Sequence, residues 1–217
     1  MKKGIILVLL TLVLFSISLR CEERIHLVGV RWGYNMSSVT FDPDRDHFGI
    51  TSAKNYSVLY TYYHPDSGNT PYFGFQTGFS LWQTGHKTDL YEERIEMASI
   101  PLVSQFHVDF WKMRVLLNLG GYGGYRLKKT VYDLSGSGDA AGTTGFDELD
   151  NRIEFGIVAG AGLAYILKPF ELQVEANYNY SLSYLYNPRK FDTATPLYTY
   201  PNHLILSVAI LFHIKSK

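Results

Sequence analysis

Cysteine is almost absent: 217 residues contain one, Cys21. A single cysteine cannot close an internal disulfide, so no cross-linked framework holds this fold. Charge is scarce as well. Only 18% of the residues are charged, against about 25% in ordinary globular domains. The 20 basic residues balance the 20 acidic ones, and without a basic excess the chain lacks the footprint of a nucleic-acid partner. Beyond the first residues there is no long apolar run. The most apolar later segment, "HLILSVAILFHI" from His203 to Ile214, is about half the length a transmembrane helix needs. It suits a strand crossing a bilayer, which takes about 9–11 residues. No shift in composition divides the chain, so a single domain is expected. What the chain has in quantity is aromatic: 15% of the residues, including 17 tyrosines.

The start, "MKKGIILVLLTLVLFSISLR", sets two lysines before an apolar run from Gly4 to Phe15, with small residues at Ser16 and Ser18. That order is the pattern of a secretory signal peptide. Residues 1–21 are therefore expected to be a signal peptide and residues 22–217 the mature domain. Lipid attachment at Cys21 would want a small residue before it, and Arg20 stands there.

The mature chain is dominated by a period of two, the mark of a strand with two unlike faces. In "FELQVEANYNYSLSYLY", Phe170, Leu172, Val174, Ala176, Tyr178, Tyr180, Leu182, Tyr184 and Tyr186 alternate with Glu171, Gln173, Glu175, Asn177, Asn179, Ser181 and Ser183. "NRIEFGIVAGAGLAYIL", "MRVLLNLGGYGGYRL", "YFGFQTGFSLWQT" and "HLILSVAILFHI" repeat it, and "HLVGVRWGYNM", "NYSVLYTYY" and "RIEMASIPLVSQFHV" do so more weakly. In the last, Pro101 is expected to mark a bulge or register shift, because proline cannot donate to a ladder.

These segments predict eight strands whose connections alternate in length. "SSVTFDPDRDHFGITSAK", "GHKTDLYEE", "KKTVYDLSGSGDAAGTTGFDELD" and "NPRKFDTATPLYTYPN" read as the longer ones, and "HPDSGNTP", "DFWK" and "KP" as the short ones. Outer-membrane barrels show this asymmetry, with short periplasmic turns and longer extracellular loops. The faces point the same way. A soluble barrel of about eight strands has little room for rows of Tyr and Leu inside. With lipid on the apolar face, the glycine-softened polar face fills a narrow lumen. An open sheet in lipid would leave backbone groups unpaired at several kcal/mol each, so the strands must close. The predicted fold is an all-β, eight-stranded antiparallel up-and-down transmembrane barrel.

Facing follows from parity. Trp32, Tyr34, Tyr178, Tyr180, Tyr184, Tyr186 and Phe212 are expected to face lipid, the tyrosines as an aromatic girdle at the membrane–water boundary. Arg31, Arg114, Arg126, Arg152, Glu154, Glu171 and Glu175 are expected inside, as a charge network whose members satisfy one another. Unpaired charges in so narrow a space would cost several kcal/mol each. Arg126 and Glu154 should meet near the outer end of adjacent strands.

"LVGVRWGYNMS", "ASIPLVSQFHVDFWKMRVLLNLGGYGGYRL", "FGIVAGAGLAYILKPFELQVEANYNYSLSYLY" and "NHLILSVAILFHI" together resemble the PorT-like outer-membrane β-barrel family of the Bacteroidota. The features are a Gly-Val-x-x-Gly-x-Asn-x-Ser first strand, an Ile-Pro-Leu strand, a Gly-x-Gly-Leu strand and a late Tyr-x-Tyr strand. The resemblance implies an integral outer-membrane barrel, exported through a cleaved signal peptide and in contact with outer-membrane lipid and lipopolysaccharide. It also implies an accessory or assembly role in type IX protein secretion, with secretion-system proteins as partners. The alternatives are a structural or adhesive barrel acting by loop display, and a small transport pore.

No catalytic residues are expected. The histidines, His26, His47, His64, His86, His107, His203 and His213, form no local pattern with Ser and an acid. No cofactor or metal site is expected either. "DPDRD" starts like a calcium loop, but His47 and Ala53 stand where such a loop wants Gly and Glu. Asp133, Asp139, Asp147, Glu148 and Asp150 fall in a Gly/Ser/Ala/Thr-rich segment that reads as a solvated loop.

Overall fold

The structure is a computed structural model that describes residues 25–64, 72–134, 142–188 and 198–214. The expected signal peptide lies outside these residues, as do Asp139 and most of the "HPDSGNTP" connection.

Alternation of apolar and polar side chains builds long antiparallel strands: β1 (Ile25–Asp42), β2 (Phe48–Ser52), β3 (Asn55–Tyr63), β4 (Tyr72–Lys87), β5 (Tyr91–Phe110), β6 (Met113–Asp133), the two-residue β7 (Thr143–Thr144), β8 (Ile153–Leu167), β9 (Phe170–Ser181) and β10 (Tyr198–Ile214). No helix among the described residues is long and apolar enough to cross a membrane. The strands close into a ring, because β10 pairs with β1 along nearly its whole length. The ring has eight staves: β1, β3, β4, β5, β6, β8, β9 and β10, with β2 continuing β3 outward and β7 a flap on β6.

The stagger can be walked. Leu27 pairs with Thr61, then the path runs through Gln76, Val103, Gly120, Val158, Asn179 and His203 and returns to β1 at Ser37. The return point is ten residues along from the start, so the strands tilt by about 40°. Tight turns at Trp111–Lys112 and Lys168–Pro169, with Ile25 and Ile214 beside them, mark the periplasmic end.

Several sequence expectations need correction. The stretch after Met36 is not a long loop. β1 runs on to Asp42 and β2 starts at Phe48, leaving only residues 43–47 as a turn. The reason is parity: Val39, Phe41 and Ile50 continue the inner face and are buried there, so the outward apolar signal fades while the strand persists. Likewise "GHKTDLYEE" holds only a short turn at residues 88–90. Pro101 causes no register shift against β6, where it pairs with Tyr122. The shift in that ladder lies between Glu96 and Met97. The proline's mark is on the other side, where the β4–β5 pairing skips from Thr77↔Leu102 to Ser80↔Ser99.

β5 and β6 are about twice the length a membrane crossing requires. Their outward residues show where lipid ends. On β5 Ile100, Leu102, Phe106 and Val108 are exposed, whereas Glu92, Arg94 and Glu96 take the same face further out. The outer third of the barrel thus stands above the apolar belt.

The wall is also interrupted between β2 and β3. β1 pairs with β3 up to Trp32↔Tyr56 and with β2 from Asn35↔Ser52, so Gly33 and Tyr34 have no strand partner on that side. Side chains close the gap. The Trp32 indole donates to the Ala53 carbonyl at 3.0 Å, Asn35 Nδ2 donates to the Gln83 carbonyl at 2.7 Å, and Ser52 donates to Gln83 Oε1 at 2.9 Å. Trp32→Phe should keep the ring and lose the donor. The expected cost is about 0.5–1.5 kcal/mol, the net worth of one hydrogen bond, read as a lower urea midpoint of the protein in detergent. An unchanged midpoint would show that the indole only fills space.

Candidate functional site

The interior is the most built part of the molecule, and it is assembled in tiers. At the periplasmic end, Arg114 on β6 forks onto Asp109 (Nε–Oδ1 2.7 Å, Nη2–Oδ2 2.9 Å) and reaches Glu171 on β9 (Nη1–Oε2 3.0 Å). Its guanidinium lies 4.1 Å from the centre of the Tyr63 ring. Gln173 donates to Glu171 (2.8 Å) and to the Tyr63 hydroxyl (3.1 Å), and Tyr63 donates to Gln105 (3.0 Å). Gln105 links upward to Glu175 (3.0 Å) and Asn118 (3.2 Å), and Asn118 donates to Asn177 (2.9 Å). Arg31 closes this middle tier at 3.4 Å from both Glu175 and Ser57.

The third tier is the tightest. Glu154, fully buried, accepts from Arg126 (Nη2 2.6 Å, Nε 3.1 Å) and from the Tyr122 hydroxyl (2.8 Å), with His203 Nε2 at 3.4 Å. The Arg126 guanidinium also donates to the carbonyls of Asn151, Tyr184 and Leu185. Small residues on β8 make the space. A Cβ on Gly156 would sit 2.7 Å from the Tyr122 ring, and one on Gly160 would sit 2.1 Å from Asn177 Oδ1. At the outer mouth Lys129 binds Asp150 (2.9 and 3.0 Å) and Glu93 (3.4 Å), and the Tyr186 hydroxyl donates to Glu93 (2.9 Å).

Between the second and third tiers lies a cavity of about 30 Å³ bordered by Arg31, Asn118, Tyr122, Asn177 and Asn179. That is room for one or two water molecules. Apolar clusters occupy much of the rest. Leu27, Leu59 and Leu211 pack near the periplasmic end, and Trp82, Met97, Val103, Val158 and Ile205 pack higher up. The lumen is therefore more apolar than the polar parity of the strands suggests.

Of the charges expected inside, Arg31, Arg114, Arg126, Glu154, Glu171 and Glu175 line the interior. Arg152 does not. It precedes the first residue of β8, is exposed, and lies over Tyr125 (4.7 Å) and Phe146 (4.6 Å) on the outer rim. Trp32, Tyr34, Tyr178 and Phe212 are exposed on the outer face. Tyr180 stacks on Tyr200 at 6.3 Å, and the Tyr200 hydroxyl donates to the hydroxyl of Tyr184 at 3.4 Å. Tyr186 is misplaced by the sequence reading. β9 ends at Ser181, the chain bends at residues 182–183, and Leu185 and Tyr186 pack over the mouth. Burial, followed by the neighbouring Glu93 carboxylate, raises the Tyr186 phenol well above its ordinary value.

Sequence reasoning missed Asp109, Glu93, Lys129 and Asp150 as network members. It also missed a chain from Thr84 Oγ1 to His203 Nδ1 (3.2 Å) and on to Glu154. The order resembles nucleophile, base and acid. These residues are scattered at positions 84, 154 and 203, so no local motif could reveal them. All three are buried, Thr84 being 3% exposed, and Glu154 is also held by Arg126, so the chain serves as part of the packing.

A model of the outer membrane protein beta-barrel domain matches residues 22–187. The chain belongs to that family. The match stops before β10, whose pairing with β1 closes the ring. Outer-membrane localisation follows from the family. No curated protein sequence matches the chain. Among solved structures, Neisserial surface protein A has 12% identity and a TM-score of 0.52, covering 89% of this chain and 100% of that one. That likeness shows a shared fold. Ail of Yersinia pestis, solved with the heparin analogue sucrose octasulfate, has 16% identity and a TM-score of 0.41, covering 86% and 99%. The N-terminal barrel of Pseudomonas aeruginosa OprF has 10% identity and a TM-score of 0.39, covering 89% and 100%.

Proposed function

We propose that the protein is a plugged outer-membrane barrel that works through contacts at its two ends, as an accessory of type IX protein secretion. The filled lumen is the observation that carries the first part. With about 30 Å³ between its tiers, the interior has room for one or two water molecules and not for a larger solute, which argues against a transport pore. The export role rests on the resemblance of the strand motifs to PorT-like proteins. On this reading residues 1–21 are removed during export. The belt then sits in lipid and lipopolysaccharide, and secretion-system proteins meet the outer extension or the periplasmic turns.

A second reading is display of the outer end to the surroundings. The rise of β5 and β6 above the belt favours it. Deleting the gene and taking a census of secreted and surface proteins separates the two. Loss of secreted proteins with an intact envelope supports the export role, and unchanged secretion supports display.

A further inference from the structure

The lipid-facing wall carries a recess of about 490 Å³ where β10, β1, β3 and β4 run side by side. Its floor is the cross-strand pair Val30 and Val58. Taller side chains surround that pair. The next outward pair along the same two strands is Trp32 and Tyr56, Phe79 stands beside Val58 on β4, and Ile210 stands beside Val30 on β10. The four strands cover three interstrand spacings, about 14 Å. The wall at Trp32 is fixed, because the indole donates to the Ala53 carbonyl at 3.0 Å and cannot fold over the valines. Arg31 and Ser57 lie between these positions on their strands, but Arg31 spends its guanidinium on Glu175 and Ser57 in the lumen. The recess is therefore apolar.

Its depth limits what can reach it. Val28 below the recess and Tyr34 above it are exposed on the same face of β1, and that face turns polar only at Ser38 and Thr40. The recess thus lies within the apolar belt, at hydrocarbon depth. Two kinds of group occur there: lipid acyl chains and the faces of other spanning proteins. Protein faces associate in a bilayer through small residues that let backbones approach. Here Trp32, Tyr56 and Phe79 hold a flat partner off the valine floor. A thin, flexible chain can enter. Inside, it gains van der Waals contact on several sides, where a smooth wall offers contact on one.

We propose that the recess over Val30 and Val58 binds one acyl chain of a membrane lipid, and retains that lipid while the rest of the belt's lipid exchanges. The site is independent of what the ends of the barrel do.

The test is a fluorescence titration of the full mature protein, refolded without lipid in a neutral maltoside detergent. The probe is a phosphatidylcholine with dibrominated acyl chains, since bromine quenches an indole only near contact. Of the three tryptophans, Trp82 is buried in the lumen, 4% exposed, and Trp111 is exposed at the periplasmic turn. Trp111→Asn removes the second, and asparagine tolerates the positive φ of that position, 56°. Trp32 then reports on the recess. Saturable quenching is expected, with one lipid per barrel in the mass spectrum of the intact complex. Val58→Phe fills the floor and should raise the half-quenching concentration by about tenfold or more. Val115→Phe, at an exposed position on the lipid face of β6, should leave it unchanged. Gel mobility before and after boiling verifies that each variant is folded. Quenching that rises in proportion to lipid without saturating would overturn the proposal. So would an unchanged titration of Val58→Phe, or an equal loss in Val115→Phe. A stable dimer with Trp32 shielded from the probe would also overturn it, by placing a second copy over the recess.

Discussion

Glu154→Ala should destabilise the folded barrel by about 3–5 kcal/mol, the usual cost of removing one partner of a buried ion pair. Glu154 is fully buried, and Arg126 donates to it at 2.6 and 3.1 Å. Removing the carboxylate strands a guanidinium that is 1% exposed and takes an acceptor from the Tyr122 hydroxyl. The carbonyls of Asn151, Tyr184 and Leu185 still face Arg126, but dipoles compensate a full charge poorly. The double variant Arg126→Leu/Glu154→Leu should recover a large part of the loss, since apolar replacement of a whole buried pair is often neutral. Urea midpoints in detergent, with loss of heat-modifiable gel mobility as a second probe, give the answer. A single variant as stable as wild type would mean that the third tier does not hold the barrel.

Val174→Arg should cost about 2–4 kcal/mol, the range for arginine on the lipid face at mid-depth. Val174 lies near the middle of β9, is 53% exposed, and pairs with Leu163 and Val208, which share its outward face. The adjacent Gln173→Arg should be milder. Its side chain enters the lumen, where Glu171 accepts from the present glutamine and Glu175 lies two residues on along the same face. The two variants are compared by unfolding in lipid vesicles. If Gln173→Arg is the more damaging, the faces of β9 have been assigned the wrong way round.

The legible part of this fold was the part governed by uninterrupted alternation. Between Phe170 and Ser181 every polar residue faces in and every apolar one faces out until Tyr180 at the rim, as period two requires. Strand count, ring order and the inward placement of Arg31, Arg114, Arg126 and Glu171 follow from the same rule. The rule fails where the backbone slips. At Leu127–Lys128 both side chains turn outward, so Lys129, not Lys128, shares the interior with Arg126. It also fails where a strand stops: Tyr186 lies beyond the end of β9, where the bent chain packs over the mouth, and Arg152 stayed outside because it precedes the ladder. Above the belt the apolar signal changes sides. Val39 and Phe41 are greasy on the inner face, so a reading keyed to lipid-facing residues takes a strand for a loop. Contacts such as Thr84 with His203, 119 residues apart, depend on the stagger of the closed ring, which no local pattern carries.

The central claim is that this barrel is closed along its axis. Arg114 with Asp109 and Glu171, Arg31 with Glu175, and Arg126 with Glu154 are paired at successive heights. The space between the tiers fits only water. An eight-stranded interior is just wide enough for its own side chains. Purified wild-type protein reconstituted in a planar bilayer, with insertion verified by heat-modifiable mobility, should show no steady ion conductance at any applied voltage that the bilayer survives. A stable, ohmic conductance from the wild-type protein would contradict the plug and make transport the better reading.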